Sequence, residues 1–202
     1  MQTYYEYEWD AFYCYPNSQV LRNKLNITQV EQLHTAEREI TSLRMAQLLH
    51  DPPSGTLDFE YLKHLHRSLF GDLYDWAGQT RTVNISKGSL FCHAPFIDAQ
   101  CTALFHQLQS EHYLARIDSQ SALGHRLAYY LSELNAIHPF REGNGRTQRL
   151  FIEILCQRIG YSLRFERITG EEMIAASHLS FQGKMAAMIQ LIEQILEKLP
   201  EE

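Results

Sequence analysis

The stretch His138-Pro139-Phe140-Arg141-Glu142-Gly143-Asn144-Gly145-Arg146-Thr147-Gln148-Arg149 ends one helical pattern and begins another. Upstream, Leu123, Leu127, Leu131, Leu134 and Ile137 recur at steps of three and four, the apolar face of a helix. Pro139 disfavours the α region for His138, so that helix stops there. Downstream, Leu150, Phe151, Ile154 and Leu155 resume the helical spacing. The segment reads as helix, tight loop, helix. Gly143 and Gly145 bracket Asn144 where positive φ and close approach of a ligand are tolerated.

A helix starting near Asn144 has unpaired N–H groups in its first turn. With the positive end of the helix dipole, they attract anions. Arg146 and Arg149 are three apart and share a helical face, an arrangement suited to more than one phosphate group. Glu142 offers a hard oxygen ligand at the rim, where Mg²⁺ carried by a nucleotide could sit. His138 enters from the preceding helix with an ordinary pKa of roughly 6.5, suited to a general base. Each feature has an ordinary reading as well. His138 could be a helix cap, Glu142 an acid complementing the dipole, Gly-Asn-Gly a plain turn, and Arg149 a partner for Glu153. Phe140 reads as core. The concentration of these groups in one short stretch favours the functional reading.

The stretch resembles the signature of the Fic family, H-x-F-x-[DE]-G-N-G-R-x-x-R, at every fixed position. Leu73-Tyr74-Asp75-Trp76-Ala77-Gly78, followed by Arg81, resembles the family segment that precedes an active-site flap. Tyr15-Pro16 and Leu21-Arg22-Asn23-Lys24-Leu25-Asn26 resemble the short, single-domain bacterial Fic toxins. The likeness spans roughly residues 20 to 165. It implies an all-α Fic-fold helical bundle with one short β-hairpin flap. It divides the chain into an aromatic-rich extension (1–19), a Fic core (20–165) and C-terminal helices packing on that core (166–202).

The formal net charge of −6 argues against a broad nucleic-acid surface. Cys14, Cys92, Cys101 and Cys156 have neither C-x-x-C nor metal-ligand spacing. They read as reduced thiols of a cytoplasmic protein. No apolar run is long enough to span a bilayer, and acids among the N-terminal aromatics are the opposite of a signal peptide. Residues 3 to 15 read as an aromatic segment laid over the core.

Ile27, Val30, Leu33, Ile40, Leu43 and Leu48 trace an amphipathic helix, with Thr28 and Glu31 as a capping box. Phe59, Leu62, Leu65 and Leu69 mark another, with Asp58 as cap and Gly78 as C-terminal cap. His64 and His66 on this helix read as surface or core histidines. Thr82-Val83-Asn84-Ile85-Ser86, the turn Lys87-Gly88-Ser89 and Leu90-Phe91-Cys92 read as a lone hairpin with an exposed edge. Further helices are expected over Ile97–Tyr113, over Ser119–Ile137 with Ser119 or Ser121 as cap, and over Gln148–Ile159. A short one starts at Thr169, and another spans Lys184–Leu199 with an apolar stripe.

The resemblance implies a protein adenylyltransferase. His138 takes the proton of a target Ser, Thr or Tyr, and Glu142 holds Mg²⁺. Gly143, Asn144 and Gly145 stabilise the α-phosphate, with the Asn144 side chain as an extra donor, while Arg146 and Arg149 hold the β- and γ-phosphates. Phe140 anchors the loop, and Val83, Asn84, Ile85 and Ser86 dock the target protein on the flap. Gly145 stands where the related Doc kinases carry a lysine, which argues for transfer of AMP. Intact His138 and Glu142 argue against an idle binding module. For short toxins of this kind the implied target is a type II topoisomerase subunit, restrained by a small antitoxin. The family's inhibitory pattern [ST]-x-x-x-E-[GN], whose Glu pairs with Arg149, is not met in this chain. Thr35-Ala36-Glu37-Arg38-Glu39 comes nearest, but Ile40 follows, and Glu37 and Glu39 read as ordinary surface charges.

Overall fold

The computed structural model describes residues 12–87 and 90–200 and, at residues 6 and 7, the backbone alone. Seven helices order the described chain: α1 (Val30–His50), α2 (Phe59–Phe70), α3 (Ile97–Ser110), α4 (Gln120–Ile137), α5 (Asn144–Arg158), α6 (Gly170–Phe181) and α7 (Ala186–Ile195). Two antiparallel pairs of short strands join them. β1 (Glu6–Tyr7) lies beside β2 (Ile85–Ser86), and β3 (Tyr161–Leu163) beside β4 (Leu196–Lys198).

The helix after the signature loop is the axis of the molecule. Leu150, Phe151, Ile152, Ile154, Leu155 and Cys156 of α5 are all buried, so apolar contact surrounds it instead of lying along one stripe. It packs against α1, α2, α4 and β3. A fully buried large apolar side chain contributes about 1.5–3 kcal/mol. The left-handed backbone of His138 in the loop before it costs about 1–3 kcal/mol. The packed helix therefore dictates the position of the loop. On its far side α4 also carries α7, and α6 lies across α4 and α7.

Two of the expected caps are present. Asp58 accepts the N–H of Tyr61 at 2.9 Å and Ser119 that of Ala122 at 3.3 Å. The helix begun at Thr169 has a reciprocal capping box with Glu172. At α1 the expectation fails: the helix starts one residue later, at Gln29, without a side-chain cap, so Thr28 does not cap it. Gly78 is not the C-terminal cap of α2, which ends at Gly71; its φ of +81° serves a later turn. Of the aromatic segment, Tyr13 is buried edge-on to Trp76 at 5.5 Å, whereas residues 3–5 and 8–11 lie outside the described residues.

The helix expected over Lys184–Leu199 is shorter. It ends at Ile195, and the chain turns into β4, pairing Leu196 with Leu163 and Lys198 with Tyr161. The cause is a long-range partner, Glu153 of α5. Its carboxylate accepts the N–H of Leu163 at 2.6 Å and the hydroxyl of Ser162 at 2.9 Å, which holds β3 against the core. This also removes Glu153 as a partner for Arg149. Replacing Glu153 by Ala leaves the Leu163 N–H buried without an acceptor. Urea unfolding at neutral pH is expected to show a loss of about 1–3 kcal/mol. An unchanged midpoint would mean that the β3–β4 ladder holds without this carboxylate.

Candidate active site

The loop between α4 and α5 is clamped from above by Arg81, a fully buried guanidinium. Its Nε donates to the His138 carbonyl at 2.8 Å and its Nη2 to the Ile137 carbonyl at 3.2 Å, at the negative end of α4. It also donates to the carbonyls of Val83 at 2.7 Å and Cys92 at 2.5 Å, joining the base of the flap to the same point. His138 turns out of α4 with φ 52° and ψ 62°. Its Nδ1 lies 3.2 Å from the Asn135 carbonyl. A carbonyl can only accept, so Nδ1 carries the proton and Nε2 is the basic nitrogen. The ring is buried and stacked on Phe91 of the flap at 3.9 Å. Burial lowers its pKa to about 3, and the charges of Arg81 and Lys87 act in the same direction. The ordinary value expected from sequence is thus corrected: a closed flap keeps the imidazole neutral.

From beneath, the loop rests on His66. Its Nε2 donates to the Glu142 carbonyl at 2.9 Å, which leaves Nδ1 to accept the Gly78 N–H at 2.8 Å. Its ring stacks on Phe140 at 3.9 Å, and Phe140 is buried as an anchor should be. Asn144 is spent inside the loop. Its Oδ1 accepts the Phe140 N–H at 2.8 Å and its Nδ2 donates to the Phe140 carbonyl at 2.7 Å. The expectation that its side chain serves a phosphate is therefore corrected; what it leaves for a ligand is its backbone N–H. Gly143 has φ +82°, and a Cβ there would meet Phe70 at 2.2 Å, so only glycine fits. Gly145 has no such constraint; its lack of a side chain opens the floor of the site. Thr147 makes the first bond of α5, to the Gly143 carbonyl at 3.1 Å. The N–H groups of Asn144, Gly145 and Arg146 precede it, as an anion site requires.

Glu142 accepts the Gly143 N–H at 2.9 Å through Oε1, which stands 3.7 Å from Arg146. Burial, then the neighbouring Glu37 carboxylate, raises its pKa. Glu37 is the largest departure from the sequence reading. It is buried, not a surface charge, and its Oε1 is ion-paired with Arg146. Tyr74 donates to its Oε2 at 2.6 Å, and Thr41 accepts from Arg146 at 3.1 Å. Arg149 has no carboxylate partner among the described residues. Burial, then repulsion from Arg146, lowers its pKa, so an anion there would be favoured.

His138, Glu142, Gly143, Gly145, Arg146 and Arg149 face one cavity of about 680 Å³. Lys87 and Phe91 of the flap close one side. Met173, Ile174, Ser177 and Phe181 of α6 form a largely apolar wall, Phe181 edge-on to Phe91 at 6.1 Å, which sequence reading did not associate with the site. Of the flap residues, Ile85 is buried, Asn84 accepts the Ala94 N–H at 3.0 Å, and Val83 is held through Arg81. The hairpin survives as a bridge between Ser86 and Leu90 and a bond from Phe91 N–H to the Ile85 carbonyl at 3.3 Å. Its turn residues 88 and 89 lie outside the described residues. The exposed edge expected of β2 is instead paired with β1, Glu6 opposite Ser86 and Tyr7 opposite Ile85, which satisfies an otherwise open edge.

His66 also makes stability depend on pH. Burial lowers its pKa to about 3 in the folded state, below the unfolded value of 6.5. Between those values the unfolded chain binds more protons, so stability falls as pH drops below about 6.5. The slope is on the order of 1 kcal/mol per pH unit for one such group. His66→Gln retains a donor and an acceptor but cannot titrate. It should be less stable at pH 8 and lose less on acidification to pH 4.5. Identical pH slopes in urea unfolding would show that His66 is not held neutral.

Comparison with known proteins agrees with this geometry. The chain matches the model of the Fic/DOC family over residues 56–156. It is 38% identical over 184 residues to "Probable protein adenylyltransferase y4lH" of Sinorhizobium fredii, covering 91% of this chain and 94% of that one. The N-terminal Fic domain of a VirB-translocated Bep effector protein from Bartonella quintana, solved with bound ADP, superposes with a TM-score of 0.89. It is 30% identical, over 94% of this chain and 96% of that one. BepC of Bartonella tribocorum, solved with bound AMPPNP, gives a TM-score of 0.87 at 28% identity, over 93% and 97% of the two chains. The signature loop, its buried supports and these likenesses converge on one statement: the chain belongs to the Fic/DOC family.

Proposed function

We propose that the chain transfers AMP from ATP to a hydroxyl of a target protein. The observation that carries this reading is the start of α5. Gly145 and Arg146 of its first turn, which precede its first hydrogen bond, line the same cavity as Arg149, which has no carboxylate partner among the described residues, and as a histidine whose Nε2 is the basic nitrogen. Relatives named as adenylyltransferases, and Fic domains solved with ADP or AMPPNP, support it.

The hydroxyl oxygen attacks the α-phosphorus and passes its proton to Nε2 of His138. The bond from phosphorus to the β-phosphate oxygen breaks, and pyrophosphate leaves. The backbone N–H groups of Asn144, Gly145 and Arg146 stabilise charge on the α-phosphate as an oxyanion hole does. Arg146 and Arg149 hold the β- and γ-phosphates. The phosphates also offset the charges of Arg81 and Lys87, which raises the basicity of His138 when substrate is bound. Glu142 brings one carboxylate to the cavity, which fits Mg²⁺ completed by phosphates and water. Such an ion would neutralise charge on the leaving group. The α6 wall gives the adenine an apolar surface.

The target docks on the flap at Val83, Asn84, Ile85 and Ser86. Because β1 occupies that edge, an incoming strand displaces residues 6 and 7 or adds outside them. In this reading residues 20–165 are the catalytic unit, α6 of the C-terminal part (166–202) completes its nucleotide wall, and residues 6 and 7 of the extension (1–19) reach the flap. By family likeness we further propose a cytoplasmic toxin acting on a type II topoisomerase subunit. A small antitoxin restrains it by supplying a glutamate to Arg149. That no described helix is long and apolar enough to cross a membrane is compatible with this setting.

His138→Ala should slow transfer by roughly 10²–10⁴-fold, the usual worth of a general base, with ATP binding nearly intact. The readout is label from α-³²P-ATP on proteins of a cell lysate. Label from γ-³²P-ATP instead would mean phosphoryl transfer, and an unchanged rate in the variant would remove His138 as base. Glu142→Ala should weaken Mg²⁺-dependent ATP binding and labelling together. Unaltered Mg²⁺ dependence in a titration would exclude it as the ligand.

A further inference from the structure

We infer that Glu37 of α1 is a positioning residue for the nucleotide: it fixes the Arg146 guanidinium so that its remaining N–H donors face the phosphates. The inference rests on the proposed placement of Arg146 at the phosphates beyond the α-position.

Glu37 lies outside the signature and across the fold from it, yet its side chain is only 7% exposed. It stands on the buried line Leu33–Glu37–Thr41 of α1, a carboxylate where the helix otherwise packs. Both its oxygens are engaged: Oε1 with Arg146, Oε2 with the Tyr74 hydroxyl at 2.6 Å. Thr41 takes a second N–H of Arg146 at 3.1 Å, and the Phe70 ring lies beneath the guanidinium at 4.7 Å. Arg146 is thus gripped from the α1 side, and neither Glu37 nor Thr41 lines the cavity that Arg146 faces. A carboxylate placed to block the site would stand between the arginine and the cavity. This one stands behind it. Holding a long, rotamer-rich side chain before the ligand arrives lowers the ordering cost of binding, and a charge-assisted pair aims the planar fork more firmly than a neutral one.

The test compares Mg²⁺-ATP with AMP, which lacks the phosphates assigned to Arg146, by calorimetric titration of the full chain. Glu37→Gln retains the shape and an acceptor for Tyr74 but removes the charge. It should weaken ATP binding roughly tenfold, the scale of losing one charge-assisted contact, and leave AMP binding unchanged. Arg146→Ala should show the same split, and Tyr74→Phe, which only loosens the carboxylate, a smaller change in the same direction. If Glu37→Gln does not fold, the Tyr74→Phe split decides. If Arg146→Ala loses ATP selectively and the folded Glu37→Gln does not, the inference fails while the phosphate reading stands. Tighter ATP binding in Glu37→Gln would make the carboxylate a brake and overturn the inference. If Arg146→Ala does not separate ATP from AMP, the phosphate reading fails and the inference with it.

Discussion

One neutral imidazole shapes the loop on which everything else in the site is hung. His66 is fully buried and must donate from Nε2 to the Glu142 carbonyl while accepting the Gly78 N–H at Nδ1. Protonated, it could not accept from Gly78, and a buried cation would be left beside Arg146. The Glu142 carbonyl fixes the backbone just ahead of Gly143, whose positive φ starts α5. The ring supports Phe140, whose backbone the Asn144 side chain binds on both its polar groups. The direction in which the first N–H groups of α5 point follows from these contacts, and so does the proposed anion site.

Around that loop the molecule spends buried charge in an uneven way. Arg81 has no carboxylate partner among the described residues but places four N–H groups on backbone carbonyls at the end of α4 and the root of the flap. Arg146 is paired with Glu37 and lies near Glu142. Arg149 has no carboxylate partner among the described residues, and the proposed reading gives it to a ligand. The order is graded: a guanidinium with four N–H groups on carbonyls, one half-engaged by a carboxylate, and one with no carboxylate partner among the described residues. On the proposed reading, a triphosphate at the start of α5 meets the last two, and the Glu37 pair keeps them from being two equal, mutually repelling charges.

The loop, its flanking helices and the signature residues that face the cavity were legible in sequence because they are local, whereas the α6 wall of the same cavity was not. Pro139, the glycines and the flanking leucine spacing act over a few residues. What sequence missed was set by partners far along the chain. Glu153 stops the last helix by capping a strand, and residues 6 and 7 cover the flap edge. Glu37 resembled a surface charge until Tyr74 and Arg146 were placed against it. A signal was nevertheless present. Glu37 and Thr41 follow Leu33 at steps of four, and His66 falls between Leu62 and Phe70 at the same step. A polar residue on the apolar line of a helix is either paired or costly. Asn144 was misjudged in the opposite sense, since its site neighbours suggested a ligand contact and the loop consumed its side chain.

The central claim is that the unpaired N–H groups at the start of α5 receive phosphate. Amide ¹H–¹⁵N spectra of the full chain, titrated with Mg²⁺-ATP, address it directly. The account predicts large shifts of the Asn144, Gly145 and Arg146 amides, with the Thr147 amide, already bonded to Gly143, much less affected. Saturable ATP binding that leaves those three amides unmoved would contradict it.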